Sequence, residues 1–219
     1  MCSGTHSERC VGCERRSSDL LCRPCFEALP RVGSPLCERC GLPTAFATPV
    51  CGECKNVDFG FTSARAALRY EGVGKEVVHA LKYRGYRKVA GRLAAPLMLQ
   101  GLGDHRFDAV VPVPLHRSRL RKRGFNQAGL LARGVAEGIN ATVSDTLEVV
   151  RSTRDQVELS AAQRRANVAG AYRARGPLRG KILLIDDVFT TGATMSACAT
   201  TLVRAGAQEV HALSLCRTC

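Results

Sequence analysis

The stretch that decides the fold lies near the end of the 219-residue chain. It reads Ile182-Leu183-Leu184-Ile185-Asp186-Asp187-Val188-Phe189-Thr190-Thr191-Gly192-Ala193-Thr194. Four consecutive apolar residues predict a buried strand, two acidic residues follow at its carboxyl end, and small residues then open a helix. A buried strand that turns directly into a helix is typical of an α/β domain.

Strand-like and helix-like segments alternate outward from this stretch, beginning near residue 61. The predicted strands are residues 64–70, 108–114, 146–151, 182–185 and 209–215. The predicted helices are residues 74–84, 89–100, 126–138, 160–167 and 193–205, with Pro96 expected to bend or shorten the second and Ser160 to cap the fourth. This alternation predicts an α/β domain over residues 61–219 with a mainly parallel sheet.

Residues 1–60 have a different character, because nine of the chain's twelve cysteines lie there. Eight of them form Cys-x-x-Cys pairs: Cys10/Cys13, Cys22/Cys25, Cys37/Cys40 and Cys51/Cys54. Each pair resembles a zinc knuckle, in which a tight turn presents two thiolates to one metal. Apolar residues are few here, so the segment is expected to need metal to fold. We predict two structural zinc sites of four cysteines each. We favour an arrangement in which consecutive pairs share a zinc, and an interleaved arrangement of the pairs is the alternative.

A disulfide framework is the other explanation for so many cysteines. Residues 1–9 are polar and contain no apolar signal-peptide core, so a cytoplasmic protein is expected and its reducing surroundings disfavour disulfides. Arg, Lys or Asp interrupts every apolar stretch before it reaches membrane length, so no membrane span is predicted.

Four cysteines lie outside the predicted zinc sites. Cys2 is expected to be a spare thiol and Cys198 a small core residue. Cys216 and Cys219 form a fifth pair, but with no second pair nearby a metal role is not favoured for them.

The formal net charge of +13 is unevenly distributed. Residues 1–60 carry seven basic and seven acidic residues, whereas residues 61–219 carry twenty-five basic and twelve acidic ones. A basic surface of this size attracts polyanions such as nucleic acid or phosphorylated metabolites. The alternative is a charge that only keeps the protein in solution.

The order of residues in the opening stretch predicts a sugar-phosphate site at the carboxyl edge of the sheet. Asp186 and Asp187 are placed to accept hydrogen bonds from sugar hydroxyls and to help hold a ligand-chelated Mg²⁺. Threonine hydroxyls and the free N–H groups of a helix N-terminus suit a phosphate. The alternative is an ordinary strand–helix turn with capping threonines.

This stretch resembles, at every position, the binding signature of type I phosphoribosyltransferases for 5-phosphoribosyl-1-pyrophosphate (PRPP). The resemblance implies a type I phosphoribosyltransferase fold. It implies that Asp186 and Asp187 contact the ribose hydroxyls, and that Thr190, Thr191, Gly192, Ala193 and Thr194 wrap the 5-phosphate.

A second resemblance, covering nearly the whole chain, is to the ComF/GntX family, which joins a double zinc ribbon to a phosphoribosyltransferase-type domain. It is carried by residues 80–86, 111–117, 119–128 and 164–168, and by the spacing of Arg151, Thr153 and Gln156. The loop containing Pro114, Leu115, His116 and Arg117 corresponds to the pyrophosphate loop of related amidophosphoribosyltransferases. Those enzymes have small or acidic residues in this loop, whereas this chain has Leu115, His116 and Arg117. This difference, together with the lack of a glutaminase domain, counts against the amidotransferase reaction.

Five basic residues crowd the segment after this loop: Arg117, Arg119, Arg121, Lys122 and Arg123. They are candidates for neutralising pyrophosphate or for tracking a nucleic-acid backbone, and a solvated basic helix is the alternative. Phe125, Tyr83 and Tyr86 are candidates for stacking on bases, although aromatic residues are more often in the core. His116 is a candidate for acid–base chemistry, for a phosphate contact or for a structural role.

Two functions compete. In the first, the protein is a Mg²⁺-dependent phosphoribosyltransferase of unknown acceptor, in which Lys82 and Arg117 stabilise the departing pyrophosphate and Asp186 or Asp187 the ribosyl cation. In the second, implied by the family's association with natural transformation, it binds incoming single-stranded DNA through its basic domain. PRPP is then a regulator, and the zinc module serves structure or protein partners. A purely structural zinc adaptor is ranked last because it leaves the PRPP signature unexplained.

Overall fold

The computed structural model describes residues 8–55, 57–103, 105–151 and 161–219. Within them the strands, numbered in chain order, are β1 Glu8–Arg9, β2 Arg16–Ser17, β3 Ser63–Arg69, β4 Ala109–Pro112, β5 Thr142–Val143, β6 Leu147–Val149, β7 Tyr172–Ala174, β8 Lys181–Phe189 and β9 Glu209–Arg217. The α-helices are α1 Arg23–Glu27, α2 Gly72–Lys82, α3 Ala95–Leu99, α4 Arg117–Arg123, α5 Gln127–Gly138, α6 Ala161–Val168 and α7 Ala193–Arg204. In the part of the chain so described, no helix has the length and apolar character needed to cross a membrane.

Five strands form the central sheet in the order β3-β9-β8-β4-β5, and every neighbouring pair is parallel. The predicted α/β domain with a mainly parallel sheet is confirmed. Strand β8 pairs with β9 as far as Phe189, which lies opposite Arg217. It pairs with β4 only as far as Ile185, which lies opposite Pro112. Residues 186–189 of β8 therefore have a neighbouring strand on one side only.

Helices cover both faces of the sheet. Leu183 and Ile185 of β8 share one hydrophobic cluster with side chains of α2, α3 and α5, whereas Ile182 and Leu184 share the other with side chains of α7. All four are fully buried, and burial of such a side chain contributes about 1.5–3 kcal/mol. Because both faces are covered, the strand needs an unbroken apolar run, which is the pattern seen in its sequence.

The helix predicted over residues 89–100 forms in two pieces. A π-helical turn spans Ala90–Ala94, and α3 follows with Pro96 in its first turn. A proline is tolerated there because the N–H it lacks has no partner in a first turn. Since Pro96 cannot donate to the carbonyl of Arg92, a regular α-helical ladder cannot run through the segment.

Within residues 61–219, the two short strands β5 and β7 were not predicted. β5 has only two residues, too few for a periodic pattern. β7 pairs antiparallel with β6 in a small separate sheet, and β6 lies inside the predicted strand 146–151. The predictions for Cys2, Thr153, Gln156 and Ser160 fall outside the described residues.

The cysteine-rich loops pack directly onto the α/β part. Val11 and Leu20 belong to the same buried cluster as α2 and α5 side chains, and Cys37 and Cys40 belong to the cluster of α7. The buried Arg217 of β9 donates from Nη1 to the Cys40 carbonyl at 2.6 Å. A division at residues 60 and 61 stays a prediction from sequence, while in the fold the two parts share buried side chains.

Candidate functional site

The candidate site lies where β4 and β8 separate at the carboxyl edge of the sheet. β4 ends at Pro112, one further bond joins Val113 N–H to the Ile185 carbonyl at 2.8 Å, and the chain then turns away towards α4. Strand β8 continues past this point without a neighbour on that side. Such a gap at the carboxyl edge is where parallel α/β domains bind ligands.

Asp186 and Asp187 lie within β8, not beyond its end as predicted from sequence. The strand extends to Phe189 because it keeps pairing with β9, where Asp186 lies opposite Ser214. The two residues still lie at the carboxyl edge of the sheet, because the neighbouring strand β4 ends before it reaches them. Successive side chains of a strand point to opposite faces, so the two carboxylates have different surroundings.

Lys82, the last residue of α2, neutralises Asp187. Its Nζ lies 2.8 Å from Asp187 Oδ1, and the two side chains are 19% and 11% exposed. Burial by itself lowers the pKa of Lys82, but the charges of Asp187 and Asp186 outweigh it and the pKa is raised. Lys82 is therefore held as a cation beside the acidic pair.

Asp186 titrates near neutrality. Burial raises the pKa of its carboxyl group, the negative charge of Asp187 raises it further, and despite a lowering by Lys82 it reaches about 7. Its Oδ1 accepts the Asp187 N–H at 2.8 Å. At neutral pH the acidic pair and Lys82 together carry between zero and one negative charge, so a cationic or hydroxyl-bearing ligand meets a partly neutralised site.

The turn after β8 depends on Gly192. This residue caps α7 with φ 73°, a left-handed conformation that suits glycine. An added Cβ would lie 2.6 Å from Phe189 Cζ and 2.9 Å from Phe59 Cε1. Glycine is thus required both by the backbone angle and by the two aromatic rings.

The predicted phosphate-binding residues lie at the N-terminus of a helix. The first backbone bond of α7 joins Ser196 N–H to the Gly192 carbonyl at 2.8 Å, so the N–H groups of Ala193 and Met195 have no partner within the helix. The Thr191 hydroxyl is buried, and the residues that the structure describes offer it no hydrogen-bond partner. A buried polar atom without a partner costs about 1–3 kcal/mol, and an anion bound at this turn would satisfy it.

Tyr172 of β7 supports the turn and was missed in the sequence, because β7 itself was not predicted. Its hydroxyl is hydrogen-bonded to that of Thr194, and it lies near Asp186 and Cys198. Burial raises the pKa of Tyr172, and the charge of Asp186 raises it further. Cys198 is fully buried, as predicted for a core residue.

The predicted pyrophosphate loop follows β4 directly. Pro114, Leu115 and His116 are partly buried and Arg117 is exposed. The imidazole of His116 caps α4, since its Nδ1 accepts the Ser118 N–H at 3.3 Å and lies 2.7 Å from the Ser118 hydroxyl. Of the roles left open by the sequence, this geometry gives His116 a structural one.

The five basic residues after this loop make up most of α4, a helix with no buried residue. Arg117, Arg121 and Lys122 are exposed, and Arg119 and Arg123 are partly exposed. The Arg123 guanidinium lies 5.3 Å from the ring centre of Tyr83, whose exposure is 69%. We name these five residues and Tyr83 the α4 basic surface.

The other two candidate aromatic residues are part of the core. Phe125 and Tyr86 are partly buried and pack against the cluster formed with α2 and α5. Arg87 lies 4.7 Å from the ring centre of Phe125 and covers it. Of the three aromatic residues proposed for base stacking, Tyr83 has its ring largely open to solvent.

The cysteine pairs form two clusters. In one, the Sγ atoms of Cys10, Cys13, Cys22 and Cys25 lie within 4.8 Å of one another, and in the other those of Cys37, Cys40, Cys51 and Cys54 do the same. This is the predicted arrangement of consecutive pairs, and four convergent sulfur atoms fit tetrahedral zinc. Burial raises the pKa of Cys10, but backbone N–H donors of Cys22, Cys13 and Gly12 outweigh it and lower the pKa to about 6. Thiolates that accept such bonds are ready metal ligands.

The fifth pair is not a third metal cluster. Cys216 is fully buried in β9, and its thiol lies 3.5 Å from the Gly74 carbonyl oxygen. Cys219 is exposed. Among the residues the structure describes, the cysteines able to surround a metal are the eight of the two clusters.

Comparison with known proteins gives consistent results. Residues 6–55 match the model of the double zinc ribbon domain. The chain is 35% identical to DNA utilization protein YhgH of Salmonella typhimurium over 90% of each chain. It is 30% identical to competence protein ComFC of Streptococcus pneumoniae over 93% of this chain and 90% of the relative. A solved structure of glutamine PRPP amidotransferase from B. subtilis, complexed with ADP and GMP, is 25% identical over 62% of this chain and 26% of that enzyme, with a TM-score of 0.38.

The chain has two clusters of four cysteines and a parallel α/β domain with an acidic pair and a small-residue turn at its carboxyl edge. These features define a class, zinc-ribbon proteins with a parallel α/β domain. Within that class, this chain belongs to the ComF/GntX family.

Proposed function

We propose that this protein binds Mg²⁺–PRPP at the gap between β4 and β8 and acts on single-stranded DNA during its uptake or processing in natural transformation. The observation that carries the proposal is the turn after β8. There a left-handed glycine, the N-terminus of α7 and a buried threonine hydroxyl, for which the described residues offer no partner, lie next to two carboxylates in the chain. The relatives named for competence and DNA utilization support the DNA half of the proposal.

Each part of PRPP has suitable groups in this site. The 5-phosphate would lie against Thr190, Thr191, Gly192, Ala193 and Thr194, where N–H and hydroxyl donors face an anion. The ribose hydroxyls would donate to Asp186 and Asp187. The pyrophosphate would lie towards Lys82 and the loop from Pro114 to Arg117, whose cations offset its charge.

Magnesium fits the site as part of the ligand. Hard carboxylate oxygens are the protein ligands that Mg²⁺ prefers, and it is usually held by one or two of them together with substrate phosphates. Asp186 and Asp187 are such ligands, and the metal would neutralise the pyrophosphate. The described residues contain no cluster of three or more carboxylates that would hold the ion alone.

In an enzymatic role the C1–O bond of PRPP breaks, its electron pair leaves with pyrophosphate, and a nucleophile bonds to C1. Lys82 and Arg117 would stabilise the leaving group, and Asp186 and Asp187 the positive ribosyl centre.

A second candidate is a non-catalytic single-stranded-DNA-binding protein that uses PRPP as a regulatory ligand. It is favoured by the geometry of His116, because the Nδ1 atom that would accept a proton in acid–base chemistry already accepts the Ser118 N–H. The DNA would contact the α4 basic surface, with phosphates at the guanidinium groups and a base stacked on Tyr83. The zinc ribbons would then serve structure or protein partners.

Calorimetry with the full chain tests the PRPP site. Asp186→Asn should weaken Mg²⁺-dependent PRPP binding about tenfold to a hundredfold, the range expected for a lost hydrogen bond to a charged group. Glu137→Gln, an exposed carboxylate-to-amide change at the far end of α5, should leave binding unchanged. Absence of Mg²⁺-dependent binding by the native chain would refute the proposal.

A pyrophosphate-release assay with candidate acceptors separates the two functions. Release that depends on an acceptor and is lost in Asp187→Ala supports catalysis. PRPP binding without release, accompanied by a change in DNA affinity, supports the regulatory alternative.

A further inference from the structure

A groove follows helix α7 away from the candidate PRPP site. It consists of two adjoining cavities of about 310 and 580 Å³ that share Tyr172, Thr201 and Arg204 in their walls. The smaller cavity reaches Ala193, at the phosphate-binding turn, and the larger is bordered by Arg173 and Arg175. The twelve-residue helix is about 18 Å long, so the groove is long enough for a chain-like ligand.

The far end of this groove is strongly basic. Arg173, Arg175 and Arg204 are exposed around one cavity. Glu148 pairs with two of them: its Oε1 lies 2.8 Å from Arg173 Nε and its Oε2 lies 3.2 Å from Arg175 Nε. Two guanidinium groups thus share one carboxylate, which fixes their positions and leaves a net positive charge.

Arg204 differs from the other two arginines. Within the described ranges its side chain makes no hydrogen bond or ion pair, although it lies in the wall of both cavities. A guanidinium in this position presents its full set of donors to an incoming anion, and its planar fork matches the oxygens of a phosphate.

The lining of the groove suits a phosphate backbone better than a protein partner. Between its two ends the walls are small or hydroxyl-bearing residues, among them Gly170, Ser196, Ala197 and Thr200. Among the described residues that line it, Tyr172 is the large aromatic side chain, and aromatic anchors are what usually dominate protein–protein interfaces. An extended polyanion can follow such a groove, because its small side chains leave room for a backbone and its arginines can pair with phosphates.

The groove also meets the α4 basic surface. Arg119 of α4 lies close enough to Tyr172 for its charge to act on the tyrosine hydroxyl, and that hydroxyl bonds to Thr194 of the turn. Tyr172, which lines both cavities, therefore lies between a cation of α4 and the arginines at the far end of the groove.

We propose that the groove along α7 is a binding site for single-stranded nucleic acid, with backbone phosphates held by Arg173, Arg175 and Arg204 and the strand directed towards the candidate PRPP site. The inference rests on the proposed DNA function and names a surface for it separate from α4. It assigns the far end of α7 to affinity and leaves PRPP binding to the turn at its beginning.

Fluorescence anisotropy with a labelled oligothymidylate and the full chain tests this assignment. Arg204→Gln should weaken binding about threefold to tenfold at moderate salt, and should reduce the slope of log affinity against log salt by about 0.7, the value for one lost phosphate contact on a single strand. Arg204→Glu should weaken binding further. Arg133→Gln, an exposed change on α5, is the matched control and should alter neither quantity.

The outcomes separate the groove from the wider function. If the native chain binds the oligonucleotide and both Arg204→Gln and Arg204→Glu bind it equally well, the groove is not the binding site. The proposed function would be unaffected by that result. Failure of the native chain to bind the oligonucleotide would refute both. Competition by polyglutamate as strong as by unlabelled DNA would also overturn the assignment, because it would indicate an acidic protein partner. PRPP binding measured by calorimetry should be the same in Arg204→Gln and the native chain. A loss of PRPP affinity in this variant would indicate that Arg204 belongs to the PRPP site, and it would overturn the assignment.

Discussion

At the scale of single residues, the site is dominated by the contact between Lys82 and Asp187. Their side chains are mostly withdrawn from water and their charged atoms lie 2.8 Å apart. Asp186, the preceding residue, has its pKa raised to about 7 because desolvation and a second carboxylate both disfavour its charged form. One cation thus holds together two acidic groups that would otherwise repel, and this can be measured in two ways.

The first measurement is of stability. Lys82→Met should destabilise the protein by about 3 kcal/mol in urea unfolding, because removing one partner of a buried ion pair leaves an uncompensated charge. Lys75→Met, which removes an exposed lysine from the same helix, should change stability by less than about 0.5 kcal/mol. Equal losses in the two variants would mean that the pair contributes nothing.

The second measurement is of pH dependence. The pKa of Asp186 is raised from 3.8 to about 7 on folding, so between these values the native state binds more protons than the unfolded state. Its contribution to stability is fully present below pH 4 and is lost as pH rises to about 7. Urea unfolding at pH 5 and pH 8 should therefore show a smaller decrease with pH in Asp186→Asn than in the native chain. An identical decrease would contradict the raised pKa.

At the scale of elements, the strand, the turn and the helix from β8 to α7 form one unit. The apolar run, the acids and the small residues were readable in the sequence, and so was the parallel sheet. The true length of β8 was not, because it depends on pairing with β9 beyond Ile185, a contact between distant parts of the chain. Tyr172 and the groove along α7 were missed for the same reason, because β7 is a strand only through its pairing with β6.

A prediction at this scale concerns Gly192. Gly192→Ala should destabilise the protein by more than about 2 kcal/mol, because it combines a left-handed backbone with a clash against two aromatic rings. Gly85→Ala is the control: Gly85 has φ 72°, and an added Cβ meets no atom within 4 Å. It should cost about 1–2 kcal/mol from the backbone alone. Thermal unfolding of both variants separates backbone strain from the clash with the rings. Equal decreases in the unfolding temperature would show that the rings contribute nothing.

At the scale of the whole molecule, the zinc ribbons are part of the structural core. Side chains of both cysteine loops lie in the clusters that hold the sheet to its helices. The sequence predicted the ligands and their grouping, because Cys-x-x-Cys spacing is a local signal. It did not predict this packing, since the apolar residues of the ribbons are too few and scattered to form a pattern.

Removal of zinc should consequently affect the entire protein. Chelation, or Cys40→Ser, should lower the temperature of a single unfolding transition followed by circular dichroism, because metal binding and burial of Cys37 and Cys40 are coupled. Cys219→Ser, which alters an exposed thiol outside both clusters, should have no effect. A separate α/β transition at the native temperature would show that the ribbons fold independently.

Arg217 sets a limit on how this protein can be recombined with its relatives. Its guanidinium bonds to the Cys40 carbonyl on one side and lies 5.3 Å from the ring centre of Phe189 on the other. Phe189 in turn packs against the turn at Gly192. A chimaera that exchanges residues 1–60 alone would take the two partners of this contact, which are 177 positions apart in the chain, from different parents. We expect a hybrid that takes the loop at Cys40 and strand β9 from the same parent to be the more stable one.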